Sequence, residues 1–315
     1  MSDLESASPL APADLAYGLV VRHAARPEWG LGKVLHVDAS HVHVYFRDAP
    51  GDSQSAVRVL ARQAGHLLRA EHQHDALLDH LPLLVGGRFP SRYQARITEQ
   101  EAVDYFVSEF DNFESGRYLR EERDYTARAH DVVTEWFTGD DGRRWLATSE
   151  PEAIAHRLRE LLRLTSLLGK QELLGLDEGF SDTAAAKRFA EGVLAFVATP
   201  AESTFSRLVD VVEELGAGSG NARVMTWPVV TVLPYLACPR DCIFLKPDQV
   251  RRVADALCFD LLYDARPRWA TYHRLVRLGA HLLQRLRPLG ARDFIDVQAF
   301  VGIVSAAPAL KAKRA

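Results

Sequence analysis

Residues 17 to 46, Tyr17-Gly-Leu-Val-Val-Arg-His-Ala-Ala-Arg-Pro-Glu-Trp-Gly-Leu-Gly-Lys-Val-Leu-His-Val-Asp-Ala-Ser-His-Val-His-Val-Tyr-Phe46, constrain the fold more than any other stretch of the chain. Within them Gly18 to His23, Gly32 to Val37 and Val42 to Phe46 alternate or cluster β-branched residues, as strands do. Pro27 and Gly30 punctuate the first connection, and Asp38-Ala-Ser40 makes a tight second one. Asp48 to Ser53 is a turn cluster, after which Ser55 to Leu60 returns as a fourth strand. Four or five short strands in so few residues cannot form a two-sided sandwich. Curling into a small barrel removes their exposed edges, so a barrel over residues 14–62 is expected.

Gly30 and Gly32 flank Leu31 where the strand must bend and backbones must approach closely. Trp29 supplies apolar bulk for so small a core, or an exposed aromatic on a binding face. Arg22, His23, Arg26 and Lys33 add charge near the same end, suited to phosphates or to an acidic protein edge. Arg22, His23, Trp29 and Lys33 are the binding candidates of this segment.

From Thr98 the periodicity becomes helical. Thr98-Glu-Gln-Glu101 reads as a capping box ahead of Val103, Phe106, Val107 and Phe110. A second helix spans Tyr118 to Phe137 and stops at Gly139-Asp-Asp-Gly142; a third starts at Ser149-Glu-Pro151 and runs to Leu168. Further helices are expected over Asp182–Ala198, Thr204–Leu215, Lys246–Cys258, Trp269–Leu286 and Ile295–Val304. Gly216-Ala-Gly-Ser-Gly-Asn221 reads as a flexible linker and a soft boundary.

Charge is unevenly spread. From Arg240 to Ala315 there are 14 Lys plus Arg against 7 Asp, whereas the preceding residues hold 24 basic and 35 acidic side chains. A basic C-terminal quarter on an acidic body can steer an anionic partner such as nucleic acid. Phe244 to Asp248 and Tyr263 to Tyr272 are dense in Arg, aromatics and proline. Arg266, Arg268, Trp269 and Tyr272 would together make a guanidinium and aromatic surface for phosphate or stacked bases. The bland alternative packs Trp269 and Tyr272 between helices and pairs the arginines with Asp264 and Asp293.

The remaining signals exclude more than they assign. Apolar runs such as Val229 to Leu236 are too short to cross a membrane, and Met1-Ser-Asp-Leu-Glu has no apolar signal segment. Three cysteines form no disulfide framework, which fits reduced thiols in a cytoplasm. His72, Asp75 and Asp79 would share a helical face suited to a divalent metal, and Cys238-Pro-Arg-Asp-Cys242 with Cys258 approaches a zinc spacing, but neither set is complete. No metal and no cofactor is expected. Nucleophile-elbow, zinc-protease and dinucleotide fingerprints are absent.

Gly18, Val20, Arg22, His23, Pro27, Trp29, Gly30, Gly32, Val34, Val44 and Phe46 form a pattern of V-x-H, then W-G-x-G-x-V, then a V-x-F strand. This stretch resembles the small Tudor-like domain of unknown function at the C-terminus of some UvrD/PcrA-type helicases. More distantly it is similar to the RNA-polymerase-interaction domain of CarD-type regulators and transcription-repair coupling factors. The resemblance implies a recognition module with its interface on an edge strand of the barrel, and RNA polymerase or a repair protein as partner. It does not extend to a helicase, because the chain has no Walker-type Gly-Lys-Ser/Thr loop.

The expected fold is therefore α+β: a disordered lead-in (1–13), a Tudor/SH3-like barrel (14–62), a linker with a short helix (63–97), a helical domain (98–216), a basic helical block (222–306) and a tail (307–315). The expected function is that of a non-enzymatic interaction protein of the bacterial cytoplasm, recognising nucleic acid or the transcription and repair machinery. An enzyme with a site in the helical body, and a structural protein whose barrel packs on its own helices, are the alternatives.

Overall fold

The computed structural model describes residues 9–138, 140–219 and 224–311. Its strands are β1 (Val20–His23), β2 (Leu31–Val37), β3 (His41–Phe46), β4 (Val57–Ala61) and β5 (Leu67–Arg69). They pair antiparallel in the order β4-β3-β2-β1-β5. A bulge between Val34 and His36 bends β2 against β3. Val21, Val34, Val42, Val44 and Phe46 line one buried face, and Val20 and Tyr45 face the other way into side chains from later in the chain.

The sheet is open where the sequence predicts a closed barrel. β4 and β5 are its two edges. β5 has only three residues, and its outer side is taken by the preceding chain: Pro9 bridges Leu68, and Leu10 N–H donates to Leu67 O at 2.8 Å. Arg62 also donates to Pro12 O, at 3.0 and 3.1 Å. Residues 9–13 are thus bound to the sheet, where the sequence predicts a disordered lead-in; the rest of that lead-in lies outside the described residues.

The expected linker over 63–97 is also part of this packing. Leu78, Phe89 and Tyr93 are buried in the same core as Val34 and Val44. Arg96 is buried and clamps the chain after β3: it donates to Tyr45 Oη (3.0 Å), Ala49 O (2.7 Å), Gly51 O (3.1 Å), Phe46 O and Arg47 O. Arg47 in turn pairs with Asp75 at 2.7 Å and Glu99 at 3.8 Å.

The helices are α1 (Glu99–Phe110), α2 (Gly116–Tyr118), α3 (Asp124–Phe137), α4 (Asp140–Thr148), α5 (Pro151–Arg163), α6 (Lys170–Gly179), α7 (Thr183–Ala198), α8 (Glu202–Ser219), α9 (Trp227–Ala237), α10 (Pro247–Ala256), α11 (Trp269–Leu286), α12 (Phe294–Ser305) and α13 (Pro308–Lys311). The Thr98 capping box forms: Glu101 N–H donates to Thr98 Oγ1 (3.1 Å) and Thr98 N–H to Glu101 Oε2 (2.6 Å). Asp182 caps α7 through Ala185 N–H at 3.0 Å.

Three departures have local causes. The stretch from Tyr118 to Phe137 is interrupted by a π-type turn, Leu119–Arg123, from which Arg123 reaches Asp293 and Asp296 at 2.7 Å. α5 ends at Arg163, because Thr165 Oγ1 accepts from Leu167 N–H (3.2 Å) and Gly169 N–H turns to Glu172 (2.8 Å) to open α6. α8 runs on through Ser219, across the start of the expected flexible linker, whose remaining residues 220–221 lie outside the described ones.

Two compact units result: Met1–Phe106 with Arg251–Asp260 and Val304–Ala315, and Val107–Val250 with Leu261–Ile303. The basic block expected over 222–306 is therefore divided. Cys258, for instance, is buried in the core of the sheet beside Tyr45. Among the described residues no helix is long and apolar enough to cross a membrane.

Candidate interaction surfaces

In the first unit the W-G-x-G motif builds a surface around Trp29. Pro27–Trp29 is a single 3-10 turn that ends at Gly30, whose φ of 69° and ψ of −149° are open essentially to glycine alone. A Cβ on Gly30 would lie 1.9 Å from Asp48 Oδ2, and one on Gly32 2.6 Å from the Phe46 ring. The two glycines let the chain turn tightly enough to set the indole on the sheet. Its ring centroid is 5.0 Å from His23 and 5.3 Å from Phe46, and Trp29 remains half-buried. The Arg58 guanidinium stands 4.9 Å and that of Arg26 5.9 Å from the ring centroid. Arg58 Nε is shielded from solvent and has no hydrogen-bond acceptor among the described residues.

The four sequence candidates part ways here. Arg22 is exposed; His23 is buried, stacked on His66 at 5.5 Å, and accepts from Ala25 N–H through Nδ1 at 3.2 Å. Lys33 is tied down, donating from Nζ to Leu78 O at 2.9 Å with Asp79 3.9 Å away, so it holds the following segment rather than facing solvent. The sequence places neither Arg58 nor His66 in this surface; His66 reads there only as one of the histidines near His72. The two come from β4 and from the turn before β5, and only the strand register brings Arg58 to Trp29 and His66 to His23.

Burial, and then the neighbouring His66, hold the His23 imidazole below its usual pKa. The unfolded chain takes up a proton below about pH 6.5 while the folded one resists it, so this contribution is present above that pH and is lost on acidification. The unfolding midpoint of the first unit should therefore fall between pH 7 and pH 5. His23→Phe keeps the ring contacts and should flatten that slope, measured by denaturant titration at each pH; equal slopes in both proteins would refute a neutral, buried His23.

In the second unit Arg266, Arg268 and Trp269 line an open groove of about 480 Å³ with Phe205, Val209, Glu202 and Asp210. Each arginine already has a carboxylate. Arg266 Nη2 is 2.8 Å from Glu213, and Arg268 Nε is 2.6 Å from Asp264. Asp293, the other partner expected for these arginines, is held by Arg123 instead. Tyr272 lies beneath the surface: it is 1% exposed, stacks on Phe205 at 4.9 Å, and accepts from Ile243 N–H at 3.1 Å. Trp269 is half-buried, packed between Phe205 (5.8 Å) and His273 (5.6 Å).

The metal candidates dissolve on folding. Asp75 is no helical ligand but caps Leu77 and Leu78 N–H at 3.1 and 3.0 Å, and Cys242 is buried near Tyr272. Among the described residues no group of three His, Cys, Asp or Glu side chains is placed to hold a metal ion. No curated protein and no solved structure matches the chain. Residues 15–51, which carry β1 to β3 and both motif glycines, match the family described as a protein of unknown function (DUF3553).

Proposed function

We propose that the protein is a non-enzymatic interaction protein and that its N-terminal sheet is the recognition module. The observation that carries this reading is the outer edge of β4. Hydrogen bonds toward β3 run through Phe46 N–H to Ala56 O and Arg62 N–H to Ser40 O, and such bonding positions alternate along the strand, so Val59, three residues from each, turns its backbone N–H and C=O away from the sheet. Val59 is 56% exposed, and the neighbouring Arg58 side chain covers Trp29. An exposed edge of this kind is a template for an extended segment of a partner, with the guanidinium and indole beside it supplying specificity.

The likeness of the Trp29 segment to RNA-polymerase-interaction domains, which use an edge strand, supports RNA polymerase or a repair protein as that partner. A pull-down from a bacterial lysate, with and without nuclease, tests it. Wild-type protein should retain RNA polymerase or a repair protein after nuclease treatment. Val59→Pro, which removes the outward donor but no ladder bond, should lose it by at least tenfold while keeping the circular dichroism of the wild type. Recovery that depends on intact nucleic acid, or that Val59→Pro leaves unchanged, would overturn the reading.

A further inference from the structure

The groove at Trp269 has the opposite charge preference from the one its arginines suggest. Arg266 and Arg268 are neutralised at 2.8 and 2.6 Å by Glu213 and Asp264. Glu202 and Asp210 also line the groove, both exposed and neither in an ion pair among the described residues. Two cations thus face four carboxylates. Phe205, Val209 and Pro267 supply an apolar wall, and the half-buried Trp269 ring lies in it. An anion entering here would have to displace a carboxylate from each arginine, whereas a cation meets unspent charge and the part of the indole left exposed between Phe205 and His273.

The rest of the chain shows which cation suits such a ring. Arg58 stands over Trp29 at 4.9 Å, Arg157 over Trp136 at 4.3 Å and Arg92 over Tyr93 at 4.7 Å. Among the described residues Trp269 has no guanidinium over it, although two arginines flank it in sequence. Both are drawn aside by their carboxylates.

We propose that this groove binds a guanidinium group, presented by an arginine in an extended basic segment of a partner protein. The guanidinium would lie against the Trp269 ring, with Glu202 and Asp210 accepting its N–H donors. A planar guanidinium fits better than an ammonium, because it stacks on an indole while its edge donates to carboxylates. Glu202, Ser206 and Asp210 follow one another at four-residue spacing along α8, so the acceptors form a rail that an extended segment can follow. This inference is independent of the β4 edge and would stand if that reading failed.

The test is calorimetric titration of the full-length protein with L-argininamide, a short arginine-containing peptide, spermidine and inorganic phosphate. The peptide and argininamide should bind saturably, spermidine more weakly, and phosphate not at this site. Glu202→Gln with Asp210→Asn, both on the exposed face of α8, should weaken the peptide about tenfold. Trp269→Phe should weaken it severalfold, since phenylalanine keeps the packing but is a poorer partner for a cation. Absence of binding, equal affinity in the double variant, or phosphate competing with the peptide would each overturn the proposal. Spermidine binding as tightly as the peptide would overturn the assignment to a guanidinium.

Discussion

Arg96→Leu should unfold the first unit under conditions where the wild type is stable. The side chain spans Tyr45 Oη and the carbonyl oxygens of Phe46, Arg47, Ala49 and Gly51, and it is only 6% exposed. Leucine fills part of the volume but leaves several buried acceptors unpaired, each costing about 1–3 kcal/mol. A loss of about 3–5 kcal/mol is expected, against a total of about twice that for a unit of this size. Arg96→Lys should recover little of it, because one ammonium cannot reach acceptors arrayed around a planar fork. Hydrogen exchange of β3 in denaturant reads the effect; a loss below about 1 kcal/mol would show that the clamp is incidental.

Asp296→Ala is the corresponding change in the second unit. Asp296 is fully buried, accepts from Tyr118 Oη at 2.6 Å and Arg292 N–H at 2.7 Å, and pairs with Arg123 at 2.7 Å. Burial opposes the charge on Arg123, yet Asp293 and Asp296 together raise its pKa; burial likewise raises Tyr118, with Asp296 adding to it. Burial would raise Asp293 too, but the Arg123 guanidinium, with the backbone N–H groups of Ile295 and Asp296, reverses it and holds the carboxyl below its usual range. Removing Asp296 leaves Arg123 with half its compensation and Tyr118 without an acceptor. About 3–5 kcal/mol should be lost, read as a lower denaturation midpoint of the helical unit. Tyr118 and Arg292 N–H donate to different oxygens of the carboxylate, so Asp296→Asn retains an acceptor for only one of them; it should still cost less than alanine. Equal losses would mean that the charge, and not the hydrogen bonds, carries the effect.

Both arginine networks were invisible in the sequence because their partners lie far apart along the chain. Arg96 and Tyr45 are 51 residues apart, and Arg123 and Asp296 173. What could be read was local. Trp269–Leu286 shows its apolar face at helical spacing, Thr98 and Asp182 announce their helices, and the W-G-x-G glycines sit where a side chain would strike Asp48 or Phe46. α9 escaped because Val229 to Leu236 is apolar but for Thr231 and buried on every side, so no period separates helix from strand. α4 escaped because Asp-Asp-Gly reads as a turn, whereas the edge-on contact of Trp145 with Trp136 at 4.4 Å favours the helix.

The openness of the sheet has the same origin. Strand composition says how many strands there are, but not whether the last will meet the fourth. That was decided by Pro9 and Leu10, which occupy the outer side of β5. The candidate sites followed suit: Trp29 and Trp269 could be picked out as aromatics in charged company. The sign of the charge around Trp269 could not, because Glu202, Asp210 and Glu213 come from α8.

Recognition of a partner by the edge of β4 is tested by hydrogen–deuterium exchange of the full-length protein alone and with the purified protein recovered in the pull-down. The β4 segment Val57–Ala61, and the Val59 amide in particular, should become protected, while β2 at the centre of the sheet is unchanged. Unaltered exchange along β4, with protection confined to the helical unit, would contradict recognition at this edge.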